Sequence, residues 1–221
     1  MNKVAIITGD IIDSRLIKPN EREELYKGLH SYVKNLKEQG YIKKFDFFRG
    51  DSIQCEVKKS NQSLRVALMI KCFVKSYRTK EAKQKPTIGL RKWKQFDIRL
   101  SIGIGNVDFS NVSLSRSDGE AFLFSGEGLD ELKSTRQQLY FKSKEEVINK
   151  NIELPIMLLD AIVQKYSYFQ AEVIMYKLNE MKEEEIAEKI KISQSAVNQR
   201  AGLAFWYAID RTVSFFENYK F

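Results

Sequence analysis

Residues 44–57 read KFDFFRGDSIQCEV. Two short runs of strand-forming residues, 44–49 (KFDFFR) and 52–57 (SIQCEV), flank Gly50-Asp51, which predicts a β-hairpin with a very tight turn. Upstream of the hairpin, residues 3–9 (KVAIITG) are apolar and β-branched, the pattern of a buried strand. Between that strand and the hairpin, Leu25, Leu29, Val33 and Leu36 recur at helical spacing over residues 20–39. Asn20 can cap that helix, Glu21, Glu23 and Glu24 suit its positive end, and Gly40 stops it. Downstream, 61–79 fits a second helix with Leu64, Leu68, Ile70 and Phe73 as core candidates, and 95–104 (QFDIRLSIGI) fits a further strand.

The order β-α-β-β-α-β is the split βαβ arrangement of a ferredoxin-like antiparallel sheet with helices on one face. A helix opening at Asp118-Gly119 and ending near Lys133, then a short strand at 138–142 (QLYFK), add one more α-β unit. Helices fill the remainder, from about 145 to 219, with Pro155 fitting the first turn of a helix that carries Ile156, Leu159 and Ile162. The expected fold class is therefore α+β, a sheet domain over residues 1–145 followed by an all-α domain over 150–221. The polar stretch Lys142–Asn151 marks the boundary. No internal repeat or low-complexity tract interrupts this pattern.

Residues 183–200, EEEIAEKIKISQSAVNQR, carry the spacing of a helix-turn-helix. Ile186, Ala187 and Ile190 form the inner face of a short helix, and Ala187 must be small because the next helix crosses it. Ile192 packs inward from the turn, Ser193 can cap the second helix, and Val197 anchors it. Gln194, Ser195, Asn198, Gln199 and Arg200 then point outward, and amide and guanidinium groups are the usual readers of base edges in the major groove. Phe169, Val173, Ile174 and Leu178 supply a supporting helix. Lys191 stands where glycine commonly makes the turn, at a cost of ~1 kcal/mol if its backbone is left-handed. The segment resembles the helix-turn-helix of sigma-factor region 4 and of LuxR-type regulators.

The net charge of +8 is unevenly spread. Residues 151–221 hold eight Lys and Arg against ten Asp and Glu, a net of −2, so the first 150 residues carry +10. A good share falls between Lys75 and Lys94, read either as a solvated connection or as a surface for polyphosphate or nucleic acid. Cys55 and Cys72 lack framework or zinc spacing, which points to a reducing cytoplasm. No run approaches the ~18–20 apolar residues of a membrane span. His30 reads as ordinary helix surface.

Two acids follow strand ends: Asp10 in TGDIIDSR and Asp51 in FRGDSIQ. The proposed sheet brings both to one edge. Two carboxylates plus a backbone carbonyl, here that of Ile11, form the set that Mg²⁺ or Mn²⁺ needs to hold a nucleotide triphosphate. Gly9 and Gly50 permit close approach of phosphate to the backbone, and Ser14, Arg15 and Arg49 can contact it. Asp13 and Asp118 are weaker candidates, more suited to a turn or cap. Asp10 and Asp51 also have a structural reading, as ordinary turn and hairpin residues.

Asp10-Ile11 with Ser14 close behind, Gly50-Asp51, and the run Arg99 to Gly105 (RLSIGIG) resemble the palm domain of class III nucleotidyl cyclases and their GGDEF and polymerase relatives. The resemblance covers residues 3–142 and implies metal at Asp10 and Asp51. The whole chain is similar to the SatD family through TGDIIDSR, FRGDS, SDGEAF and SQSAVNQR, which implies a palm joined to a C-terminal helix-turn-helix. Working cyclases place an Asn, and an Arg four residues on, in the helix after their last glycine motif. Here Phe122, Leu123 and Gly126 stand near those places, and Phe47 stands where a lysine often precedes the hairpin.

These readings together predict a cytoplasmic, homodimeric regulator of double-stranded DNA that senses a nucleotide. A metal-dependent nucleotidyl cyclase or transferase and a protein-interaction module are the alternatives. No catalytic residue is assigned. Because the helix-turn-helix segment is slightly acidic, DNA binding is expected to draw on dimerisation, on the sheet domain, or on both.

Overall fold

The computed structural model describes residues 3–48, 50–80, 95–108, 114 and 117–221. Among them five strands form one sheet: β1 (Val4–Ile11), β2 (Ile42–Phe48), β3 (Ser52–Val57), β4 (Ile98–Gly105) and β5 (Leu139–Ser143), in the order β2-β3-β1-β4-β5. The first four pair antiparallel in the ferredoxin-like order, so the fold is α+β. The fifth strand joins β4 in parallel, because a helix, α3 (Glu120–Ser134), carries the chain across between them.

Alternation along β1 separates the two faces of the sheet. Ala5, Ile7 and Ile11 join Ile53, Cys55 and Val57 of β3 and Ile98, Leu100, Ile102 and Ile104 of β4 in the main apolar cluster. Helices α1 (Pro19–Glu38) and α2 (Ser63–Ser76) contribute to that same cluster. Helix α3 departs from the one-face expectation and lies on the opposite side. The reason is residue size. On that face β4 presents Ser101, Gly103 and Gly105, and a Cβ added at Gly103 would collide with the Ala121 carbonyl oxygen and the Ser125 amide. Ala121, Ser125 and Gly128 line the facing side of α3, and Thr8 Oγ1 donates to Ser125 Oγ at 2.9 Å.

Several local expectations shift. Pro19 opens α1 with Lys18 as N-cap and no side-chain cap, so Asn20 lies inside the first turn. Proline suits that position because its missing N–H has no intrahelical partner there. Gly40 takes φ 85 just past the helix. Helix α4 runs Glu146–Gln164, which places Pro155 in its interior rather than its first turn. The polar stretch 142–151 is therefore the end of β5 and the first turns of α4.

Helices α5 (Tyr168–Leu178), α6 (Glu183–Ile190), α7 (Gln194–Leu203) and α8 (Trp206–Glu217) complete the described chain. Ile156, Leu159 and Val163 of α4, Ile174 and Leu178 of α5, and Val213 and Phe216 of α8 belong to the same apolar cluster as the sheet. Helix α2 lies among them, buried on nearly every side. Its charged residues are matched from far along the chain. Arg65 donates from Nε to Glu217 Oε1 at 2.6 Å and from Nη1 to the Leu178 carbonyl at 3.0 Å. Lys71, fully buried, donates to Asp97 Oδ1 at 2.9 Å, the Ile98 carbonyl at 2.9 Å and Gln138 Oε1 at 2.7 Å. Lys75 donates to Asp97 Oδ2 at 3.0 Å and the Gln164 carbonyl of α4 at 3.2 Å. Burial alone would raise the Asp97 pKa, but the two ammonium groups overturn that and hold it below the ordinary value. Both cysteines are buried and their thiols pushed up by desolvation, Cys72 to about 12. Among the described residues no helix is long and apolar enough to cross a membrane.

Candidate functional site

Asp10 sits at the end of β1, opposite Ser52 of β3 and Arg99 of β4. Gly50, at φ 83, turns the backbone ahead of Asp51 at the tip of the hairpin. The Ile11 amide donates to the Asp51 carbonyl at 3.0 Å, which ties the hairpin tip to the end of β1. Asp10 and Asp51 thus line one cleft of about 620 Å³, together with Ser14, Arg15, Arg22, Tyr26, Gly50, Ser52 and Lys133.

The two acids are held differently. Asp51 accepts from Ser14 Oγ at 2.7 Å, and Ser14 is presented by a single 3₁₀ turn, Ser14–Leu16. Asp10 faces Arg99 Nη1 at 3.6 Å through Oδ2, while its buried Oδ1 has no hydrogen-bond partner. Burial raises the Asp10 pKa above the usual carboxylate value. Arg99 and Lys133 pull it down, Asp51 pushes it up, and the net shift is upward. Burial, with the negative charge of Asp51 second, likewise raises the Tyr26 phenol. Two carboxylates and a hydroxyl lining one cleft are hard-oxygen groups, the class of donor that divalent cations take. Among the described residues no group of three or more His, Cys, Asp and Glu gathers as a metal centre. Water or phosphate oxygens would have to complete the shell.

Of the residues expected from sequence, Asp10, Ser14, Arg15, Gly50 and Asp51 line this cleft. The Ile11 side chain is buried in the core, so its backbone alone is left to serve the site. Gly9 serves packing. A Cβ there would lie 2.5 Å from Leu100 Cδ2 and 2.7 Å from the Arg99 carbonyl. Arg49 and positions 81–94 of the basic connection lie outside the described residues, and Lys75 is a buried ion-pair partner rather than a phosphate-facing cation. Asp13 makes a left-handed turn at φ 54, and Asp118 accepts from the Gly119 amide at 2.7 Å. Sequence reasoning missed Arg22, Tyr26, Arg99 and Lys133. Arg99 follows from the β1–β4 register, and Arg22 with Tyr26 from their one-turn spacing on α1.

The C-terminal motif forms its own small cluster of Val173, Ile186, Ala187, Val197 and Ala201, with Ile190 and Ile192 packed against it. Lys191 adopts the left-handed conformation at φ 56, ψ 51. Ser193 Oγ accepts from the Ala196 amide at 3.1 Å and caps α7. Gln194, Ser195, Asn198 and Gln199 are exposed along one side of α7. Arg200 is half-buried, its guanidinium 4.8 Å from the centre of the Phe169 ring. The Gln194 and Asn198 amides lean toward Glu184 and Glu183 of α6, at 3.4 and 3.5 Å.

No protein-family model matches the chain, and no curated protein is significantly similar to it in sequence. Several solved structures match parts of the chain. The guanylyl cyclase Cya2 matches at 14% identity and TM-score 0.41, over 59% of this chain and 70% of that one. A bacterial light-regulated adenylyl cyclase matches at 17% identity and TM-score 0.42, over 63% and 75% of the two chains. The adenylyl cyclase CyaB from P. aeruginosa matches at 15% identity and TM-score 0.36, over 59% and 71%. At these identities and TM-scores the likeness carries no argument about activity.

Proposed function

We propose that the chain is a DNA-binding transcriptional regulator in which residues 1–145 bind a nucleotide with Mg²⁺ or Mn²⁺ and residues 150–221 bind double-stranded DNA. The observation that carries this reading is the exposed polar face of α7, held by a capped turn over a compact apolar cluster. Gln194, Ser195, Asn198 and Gln199 meet base edges from that face, and Arg200 supports it through Phe169. The same pairing of parts is what the SatD resemblance implies, and we take the chain to act as a cytoplasmic homodimer reading a near-palindromic site. The acidic first turn of α6, Glu183 to Glu185, repels phosphate, so a lone motif binds DNA weakly. Selection of bound sequences from fragmented genomic DNA, with and without nucleotide, tests this. The expected result is enrichment of a palindromic site, lost in Asn198→Ala/Gln199→Ala. Enrichment of nothing under either condition would favour a protein-interaction module instead.

A second reading, metal-dependent nucleotidyl transfer, draws on the cations Arg15, Arg22 and Lys133 beside the carboxylates. Asp10 and Asp51 would hold the ion, which when bound polarises a phosphate and acidifies an attacking hydroxyl. Lys133 and Arg22 would steady charge on the phosphates. Incubation with the four nucleoside triphosphates and Mn²⁺ separates the readings. Products that vanish in Asp10→Ala and Asp51→Ala establish the enzyme.

A further inference from the structure

Helix α4 buries one face and bares the face opposite, and both are apolar. Ile152, Ile156, Leu159 and Val163 form the buried side. Half a turn away, Val147, Asn151, Leu154, Leu158, Ala161 and Lys165 lie exposed in one line. Val147 is 72% exposed and Leu154 and Leu158 each 55%, with Met157 beside them at 43%. A helix covering an ordinary core keeps its outer face polar, so this second apolar line calls for a cover. Its steps are 4, 3, 4, 3 and 4 residues, the spacing of a coiled-coil seam, and a seam of that kind is filled by another helix.

We infer that a second copy of the chain docks here, its own α4 lying antiparallel on this one about a two-fold axis. The inference rests on the reading of the chain as a homodimer and names the interface. The spacing decides the occupant. It is the same from either end, so α4 turned end for end on α4 matches position for position, as an interface between identical surfaces must. Leu154 meets Leu158 of the second copy on both sides of the axis, and Asn151 meets Ala161. Met157 flanks the axis and meets its own counterpart. At each end Lys165 lies over Val147 of the second copy, its stem covering the apolar surface and its ammonium directed toward Glu146. Glu146 stands in the first turn and Lys165 at the C-cap, so the antiparallel arrangement brings unlike charges together twice. A parallel arrangement would set Lys165 against Lys165. A pair of 19-residue helices covers roughly 1,000 Å², the lower end of stable interfaces, so a dissociation constant on the order of 1–10 µM is expected. The same axis relates two copies of α7, as a near-palindromic site requires.

Sedimentation equilibrium of the full chain across the micromolar range tests the seam. The parent should associate reversibly to twice its monomer mass. Leu154→Glu/Leu158→Glu, at two exposed positions, should remain monomeric with an unchanged far-ultraviolet circular dichroism spectrum. Glu146→Lys should weaken association about fivefold, and Glu146→Lys/Lys165→Glu should restore it. For the register, Asn151→Cys and Ala161→Cys chains, mixed and air-oxidised, should cross-link to one another and neither to itself, since the native Cys55 and Cys72 are buried. A dimer that survives Leu154→Glu/Leu158→Glu would overturn the seam and leave the homodimer reading standing. A parent that is monomeric at every concentration would overturn both and leave the face to a different protein. Self-linking of either single-cysteine chain would overturn the antiparallel register.

Discussion

Asp97→Ala is the perturbation whose size follows most directly from the structure. The Asp97 carboxylate is shared by Lys71, fully buried, and Lys75, 3% exposed. Removing one partner of a buried ion pair costs ~3–5 kcal/mol, because a charge is left without its counter-charge. Two ammonium groups are stranded here, but the losses do not double. Lys71 keeps the Ile98 carbonyl and Gln138 Oε1, and Lys75 keeps the Gln164 carbonyl. The expected loss is therefore ~3–5 kcal/mol, a fifth or more of the ~5–15 kcal/mol that holds a typical domain. Urea unfolding followed by circular dichroism at pH 7 measures it. Glu38→Ala is the control. It removes an exposed i,i+4 pair with Lys34 at 3.9 Å, for which ~0–1 kcal/mol is expected. The acid limb gives an independent check. Because the Asp97 pKa is lowered on folding, its contribution is complete above the ordinary carboxylate value and fades as pH falls through the lowered one. Asp97→Ala should flatten that limb. A loss below ~1 kcal/mol, no larger than that of Glu38→Ala, would refute the view of this network as a paired charge cluster.

Asp10 carries the opposite sign. Its pKa is raised on folding, so its contribution is present below the ordinary carboxylate value and lost as pH rises through the raised one. Asp10→Asn should therefore match or exceed the parent in thermal stability at pH 7, yet lose the stabilisation given by nucleotide with Mn²⁺. A clear drop in stability would contradict this. Gly103→Ala should lose ~1–3 kcal/mol in denaturant unfolding, because the added methyl meets the α3 backbone. Gly126→Ala and Gly202→Ala place theirs in open space on helices and should gain ~0.5–1 kcal/mol. Ala187→Leu should cost ~1–3 kcal/mol by overfilling the cluster under α7, and should weaken sequence-selective DNA binding if α7 is the reading helix.

Period and turn chemistry made β1, α1, the hairpin and the two consecutive helices α6 and α7 readable, since each depends on neighbours within a few residues. The two acids were readable for the same reason, because each ends a strand at a turn. What could not be read depends on distant partners. Lys71, Lys75 and Arg65 look like the wet side of an amphipathic helix until Asp97 and Glu217 arrive from elsewhere in the chain. Arg99 enters the site only through the β1–β4 register. Pro155 misled because proline usually begins a helix, whereas α4 tolerates it in mid-run. The position of α3 was foreshadowed by Ala121, Ser125 and Gly128 at helical spacing, a stripe of small residues that is informative once the facing strand is known to be equally small.

Helix α2 is covered by the sheet on one side and by α5 and α8 on the other. Such a helix leaves no seam along which the chain can be divided. A fragment ending after β5 would carry α2 with its second side bare, and the complementary fragment would carry the matching apolar surface of α4, α5 and α8. Each piece would be sticky in isolation and would find its natural cover in the other. Co-produced, the two halves should reassemble.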